Sequence, residues 1–252
     1  MYLVYLIGTA GSGKSLLTHS FTEWLKSKKQ DVISVNFDPG VVSLPYEPDV
    51  DIRGYISVRE LMETEGLGPN GALIAAVDMM ATRLGQIQED ITSFNSDYVI
   101  VDTPGQMELF CFRASGPYIA SELAADGRAI VYLFDASFSS NPFNYVSNMF
   151  LSSAVYTRFR LPQVHILSKI DLLPVHEAKR VLNWSTRARA LDNAIERVRG
   201  DETRLLSREL VSVVSRLGLA FNLTPVSART TEGFNALFSL LTRIFTGGEE
   251  AL

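Results

Sequence analysis

Apolar residues run unbroken from Tyr2 to Ile7 and then recur at helical spacing, at Leu16, Phe21, Trp24 and Leu25, over Ser15 to Lys29. The first stretch predicts a strand and the second a helix, joined by a glycine-rich loop. Val32 to Phe37 predicts a second strand, closed by Asp38-Pro39-Gly40, where proline and glycine prevent simple continuation. A loop through Pro45 and Pro48 follows. Residues 57 to 65 and 70 to 95 carry helical periodicity, the second with Leu73, Ile74, Val77, Met80 and Leu84 on one face. Gly66-Leu67-Gly68-Pro69-Asn70-Gly71 breaks the chain between them. Further strands are predicted at Tyr98 to Val101, Ala129 to Phe134, Val164 to Leu167 and Ala220 to Pro225, each followed by a loop and a helical stretch. That alternation predicts an α/β fold, a mostly parallel β-sheet flanked by helices on both faces, with its ligand beyond the carboxyl ends of the strands.

Pro174 to Leu217 departs from the pattern. It is polar, helical by composition and rich in arginine, at 180, 187, 189, 197, 199, 204, 208 and 216, with six acidic residues interspersed. It reads as a solvated helical insertion, or else as a docking surface for a partner. With 252 residues, 46% of them hydrophobic, the chain is long enough for one large core, and a single domain over residues 1 to 252 is expected. The net charge of −5 offers no global positive field for nucleic acid or an anionic membrane. No apolar run approaches the ~20 residues that span a bilayer. One cysteine, Cys111, excludes an intramolecular disulfide, and with three scattered histidines it gives no metal cluster of known spacing. A reducing, cytoplasmic setting is expected, with Cys111 a small buried residue and His19, His165 and His176 structural or solvated.

The candidate chemistry lies at four strand ends. Gly8-Thr9-Ala10-Gly11-Ser12-Gly13-Lys14-Ser15 satisfies G-x-x-x-x-G-K-[ST] between a strand and a helix, where backbone N–H groups can curl around a phosphate. Gly11, Ser12, Gly13, Lys14, Ser15 and Leu16 are the expected binding residues, Lys14 reaching the β- and γ-phosphates and Ser15 ligating Mg²⁺. Asp102-Thr103-Pro104-Gly105-Gln106 follows another strand and brings a carboxylate to the same sheet edge. Asp102 is placed to hold Mg²⁺ through water, opposite Ser15. The Gly105 N–H would touch a γ-phosphate, and Gln106 would orient the attacking water. Ser168-Lys169-Ile170-Asp171 offers a carboxylate that can accept from guanine N1–H and the 2-amino group, whereas adenine has an acceptor at N1 and lacks that amine. Lys169 would cover one face of the base with its aliphatic stem. Taken alone, Asp171 reads equally well as a helix cap, and Ser227-Ala228-Arg229 as a capping serine. In this order, Ala228 can present its N–H to the guanine 6-oxo group.

With these segments in place the sequence resembles a P-loop GTPase, with the P-loop NTPase fold that this implies. Gly68-Pro69-Asn70, together with Asp38-Pro39-Gly40, Leu44-Pro45-Tyr46-Glu47-Pro48 and Asp102 to Glu108, makes it similar to the GPN-loop GTPases. The close of the sequence at Gly247 to Leu252, without a long acidic tail, looks like the compact archaeal members. The resemblance implies a Mg²⁺-dependent enzyme that hydrolyses GTP to GDP and phosphate. It implies a homodimer in which Asn70 of each protomer approaches the nucleotide of the other, partly replacing an arginine finger. Asp38 is then a water-orienting or metal-bound carboxylate, and Glu108 a weaker candidate beside it. Catalysis is expected to rest on Lys14, Asp38, Asn70 and Gln106. A nucleotide switch or assembly factor for protein clients, RNA polymerase-related by family resemblance, is the implied role. Ser168 departs from the usual Asn, and its shorter side chain is not expected to tie the base loop to the phosphate loop in the same way, which bears on nucleotide affinity more than on base selectivity. The rival reading is a P-loop kinase passing phosphate to a small acceptor, which a phosphate loop alone does not exclude.

Overall fold

The structure, a computed structural model, describes residues 1–197, 205, 209, 211, 212 and 221–247. The described strands are β1 (Tyr2–Gly8), β2 (Val32–Asn36), β3 (Val50–Asp51), β4 (Tyr98–Asp102), β5 (Gly127–Asp135), β6 (Gln163–Ser168) and β7 (Leu223–Pro225). They form one seven-stranded sheet in the order β3-β2-β4-β1-β5-β6-β7, every pair parallel. The helices are α1 (Lys14–Ser27), α2 (Val58–Thr64), α3 (Pro69–Thr82), α4 (Leu84–Ser93), α5 (Met107–Cys111), α6 (Ser115–Glu122), α7 (Ala136–Ser139), α8 (Pro142–Phe159), α9 (Val175–Thr186), α10 (Ala188–Glu196) and a C-terminal helix, Phe234–Phe245.

A parallel strand buried on both faces reads as a continuous apolar run, and β1 shows why. Its side chains alternate by the pleat: Leu3, Tyr5 and Ile7 enter one core, Val4 and Leu6 the other. The second core is closed by Leu17, Phe21 and Leu25 of α1 and by Phe234, Leu237 and Leu241 of the C-terminal helix. The first, larger core takes apolar side chains from α3 to α10. Local signals start the helices where the periodicity begins. Asn141 accepts from Phe143 N at 2.9 Å ahead of Pro142, and Ser57 caps α2 through Glu60 N.

Three expectations change. The helix over 70 to 95 is two helices, because Arg83 N bonds back to Met80 O at 3.1 Å in a tight turn before α4 restarts. Gly85 lies two residues beyond the turn, but a lone glycine is tolerated inside a helical pattern, and the apolar periodicity runs through it. Strand β3 is a two-residue edge strand, too short for a pattern, and Asp49 fastens its entry by accepting from Ser34 N at 2.7 Å. The arginine-rich segment is not wholly solvated in its described part: Ala178, Val181 and Trp184 of α9 and Leu191 and Ile195 of α10 are buried. Trp184 meets Tyr145 edge-on at 5.7 Å. Arg199, Arg204, Arg208 and Arg216, and Ala220 of the last predicted strand, lie outside the described residues.

His165 belongs to the scaffold. Its Nε2 lies 2.8 Å from Ser152 Oγ and 2.9 Å from Gln163 Nε2, and its ring packs beside Phe221 at 5.0 Å. Burial pushes its pKa down to about 4. The unfolded chain therefore takes up this proton first, so the stability that neutral His165 contributes is complete above about pH 6.5 and lost as pH falls towards 4. The loss is about 1–3 kcal/mol, at the lower end because the residue keeps some exposure. Thermal melts of wild type and His165→Gln from pH 7.5 to 4.5 should show a flatter acid slope in the variant; parallel curves would contradict this role.

Candidate functional site

Register alignment brings the chemistry together. Leu6 of β1, Asn36 of β2 and Val131 of β5 stand level with Asp102 or Leu6 in neighbouring strands, and Ser168 pairs with Asp135. The loops leaving β1, β2, β4, β5 and β6 therefore open on one edge, at the strands' carboxyl ends.

The phosphate loop turns through Gly11 at φ +74° and Gly13 at φ +98°, and Gly13 caps α1 in the left-handed region, where a side chain would be strained. Lys14, 5% exposed, donates from Nζ to Gly8 O at 2.9 Å and Thr9 O at 3.1 Å. Burial lowers its pKa, while the charges of Asp102 and Asp38 raise it. The ammonium is thus held over the loop, facing two carboxylates. Ser12 is fully buried with its hydroxyl unpartnered.

Asp102 is 1% exposed. Burial raises its pKa to about 6, opposed by the Ser15 hydroxyl, the Lys14 ammonium and the Tyr46 hydroxyl, while the charge of Asp38 raises it further. Tyr46 donates from Oη to Asp102 Oδ2 at 3.2 Å, whereas Asp102 Oδ1 is buried with no hydrogen-bond partner. A buried, unpartnered carboxylate oxygen beside a serine hydroxyl fits a divalent cation. Among the described residues no group of three or more His, Cys, Asp or Glu side chains could hold a metal ion. A cation here would draw most of its ligands from phosphate oxygens and water, as Mg²⁺ commonly does.

Asp38 is fixed from both sides. Its N–H donates to Asn36 Oδ1 at 2.9 Å, and its carboxylate accepts from Gly40 N at 2.9 Å and Gly105 N at 3.0 Å. The Gly105 N–H, expected to face a γ-phosphate, therefore serves Asp38, and an incoming phosphate oxygen would have to share or displace that bond. The physical reason is that an anionic side chain two residues beyond the adjacent strand reaches the same amide. Gln106 is exposed at the start of α5, and Glu108 is exposed in its first turn.

The base-side residues line a cavity of about 200 Å³ with Ser12, Gly13, Leu16, Ser168, Lys169, Asp171, Ala228 and Arg229. That is below the ~300–1,000 Å³ of pockets enclosing a drug-sized ligand, so it suits a base and leaves a phosphate chain to the open loop. Ser168 corrects the expectation of a slack joint: its hydroxyl donates to Ser12 O at 2.9 Å and lies 3.2 Å from Phe134 O, so the shorter side chain reaches the phosphate loop. Lys169 adds a second tie, bonding from Nζ to Gly11 O and pairing with Asp135 Oδ2 at 2.7 Å. Its Cε would lie 3.4 Å from a Cβ placed on Gly13, which sets the stem across the slot. Ser227 donates to Asp171 Oδ1 at 2.7 Å, orienting an otherwise exposed carboxylate.

Asn70 stands apart. Gly68 caps α3, Pro69 is its first residue and Asn70 lies exposed in its first turn. The tripeptide therefore opens a helix, because proline at the first helical position sacrifices no hydrogen bond. Sequence reasoning assigned no role to Tyr46, Asn36, Asp135 or Arg229. Tyr46 had a signal, being an aromatic residue between two prolines in a loop; Asn36 and Asp135 had none beyond their positions at strand ends, and Arg229 none beyond its place after Ala228.

A glycine-wrapped helix N-terminus with its lysine, a buried carboxylate and a base slot closed by Lys169 and Asp171, all on one edge of a parallel sheet, define the class of P-loop GTPases. A family model described as "Conserved hypothetical ATP binding protein" matches residues 6–247. A GPN-loop GTPase of Pyrococcus abyssi is 32% identical over 242 residues, 94% of this chain and 95% of the relative. The crystal structure of that GTPase in apo form superimposes with a TM-score of 0.85 at 31% identity, covering 97% of each chain. GPN-loop GTPase 1 of Saccharomyces cerevisiae is 29% identical over 92% of this chain, which spans 63% of the yeast protein. The chain belongs to the GPN-loop GTPase family, in its compact archaeal type, and is a GTP hydrolase.

Proposed function

We propose that the chain is a Mg²⁺-dependent, homodimeric nucleotide switch of the cytoplasm whose GTP-dependent shape serves protein clients. Residues 1 to 252 act in this reading as one domain, with 174 to 217 as a helical insertion. The phosphate-loop amides and Lys14 neutralise β- and γ-phosphate charge, Ser15 and Asp102 hold the cation, Asp38 and Gln106 orient the attacking water, and Asp171, Lys169 and Ala228 hold guanine. Catalysis would then be positioning plus electrostatics. The observation that carries the reading is the buried, unpartnered Asp102 Oδ1 set beside Ser15 and Lys14.

The trans arrangement is supported by the exposure of Asn70 at the positive end of a 14-residue helix that rests on the Asp38 turn, where Leu73 closes over Gly40. Asn70→Ala is expected to retain GDP and to slow phosphate release from GTP by roughly 10²-fold, the typical cost of one positioned donor. Light scattering with a non-hydrolysable GTP analogue and Mg²⁺ should give a dimer. An unchanged rate in the variant, or full turnover from a monomer, would remove the trans role. A γ-phosphate contact that orders loops at a dimer axis can move whole protomers, which is what a client would sense. Equal client binding with GDP and with the GTP analogue would end the switch reading.

A further inference from the structure

Tyr46 occupies a place that the phosphate loop, the base slot and the helix opened by Gly68-Pro69-Asn70 leave unexplained. The loop between β2 and β3 carries it, between Pro45 and Pro48, back over α1. There its ring lies parallel to His19, centroids 6.4 Å apart and planes 11° apart. His19 is one helical turn beyond Ser15, so the stack sets the phenol over the helix face that carries the expected metal hydroxyl. At its end the hydroxyl meets Asp102 Oδ2 at 3.2 Å. The other oxygen of Asp102 is buried and unpartnered, in a residue 1% exposed.

A carboxylate can turn about its last torsion and offer a cation one oxygen or two. A donor on Oδ2 removes that freedom and leaves a single oxygen available. We propose that Tyr46 is a positioning residue for the metal site: its O–H fixes the plane of Asp102 so that Oδ1 alone faces the hydrated divalent cation shared with Ser15. Groups that orient metal-holding side chains in this way typically carry about 10- to 100-fold in metal affinity. The ring and the hydroxyl have separable duties, since the ring anchors the loop on His19 and the hydroxyl aims Asp102.

This role rests on the Mg²⁺-dependent reading above, and its test is independent of turnover. Mn²⁺ binding to the GDP-loaded protein can be followed by electron paramagnetic resonance, alongside GDP dissociation in excess EDTA and thermal melting. Tyr46→Phe keeps the ring and deletes the donor. It is expected to weaken Mn²⁺ binding about tenfold with metal-free GDP dissociation near wild type, and to lower the melting temperature less than Tyr46→Ala does, since only the donor to the buried Asp102 Oδ2 is lost. Tyr46→Ala should lose both metal affinity and stability. Mn²⁺ binding by Tyr46→Phe equal to or tighter than wild type would overturn the role. So would a fall in melting temperature as large as that of Tyr46→Ala, which would assign Tyr46 to loop anchoring. A wild-type chain that binds no Mn²⁺ with GDP would bring down the parent reading itself, a result distinct from failure of the variant alone.

Discussion

Asp171→Asn is expected to lose guanine preference and to gain affinity for xanthine nucleotides. The carboxylate accepts twice, matching two donors on guanine, whereas an amide presents one donor and one acceptor, matching the N1–H and 2-oxo groups of xanthine. Mismatching a site built on hydrogen bonds can cost ~10⁴-fold or more when its polar groups are buried. Asp171 is exposed and already accepts one bond from Ser227, so a loss of roughly 10²-fold in GTP affinity is the expected size here. Competition binding with GTP, XTP and ATP measures it. ATP should compete poorly with wild type, and an Asp171→Asn chain that binds GTP undiminished would show that guanine is held elsewhere. Because Ser227 orients the side chain through a hydroxyl, which can donate or accept, the amide can be held in the same place, and the effect should fall on recognition more than on stability.

Lys14→Met should reduce GTP turnover by about 10²- to 10³-fold, the scale of a lost preorganised cation or donor at developing charge. Methionine retains most of the apolar stem, which lies buried, and deletes the ammonium that bonds Gly8 O and Thr9 O. The loss is one of positive charge at the phosphates, where the ammonium faces the carboxylates of Asp102 and Asp38. Phosphate release at saturating GTP measures it, and a rate within a few-fold of wild type would remove Lys14 from the chemistry.

Much of this arrangement was legible in the chain because it is written locally. The phosphate loop needs glycines at fixed offsets between a strand and a helix, and Gly11 and Gly13 do take positive φ there. The strand ends carrying Asp102 and Ser168 follow apolar runs long enough to read as buried strands. Ser168 was misjudged because its reach depends on how closely the base loop approaches the phosphate loop, a distance no local pattern encodes. The break at Arg83 was hidden because the turn leaves the helical periodicity intact, and Gly85 just beyond it is a lone glycine that a helix tolerates.

The sequence by itself determined the class of fold and the identity of the phosphate-binding loop, since both follow from short-range sterics and the alternation of strand and helix. Tertiary structure decided which carboxylates share the site and what each one faces. Asp38 meets Gly105 across 67 residues, Tyr46 meets Asp102 across 56, and Ser168 meets Ser12 across 156. Such contacts exist only once parallel strands have aligned their carboxyl ends in register. The reason is physical: hydrogen bonds and charge act over a few ångströms, and only the packed sheet brings positions so distant in the chain within that range.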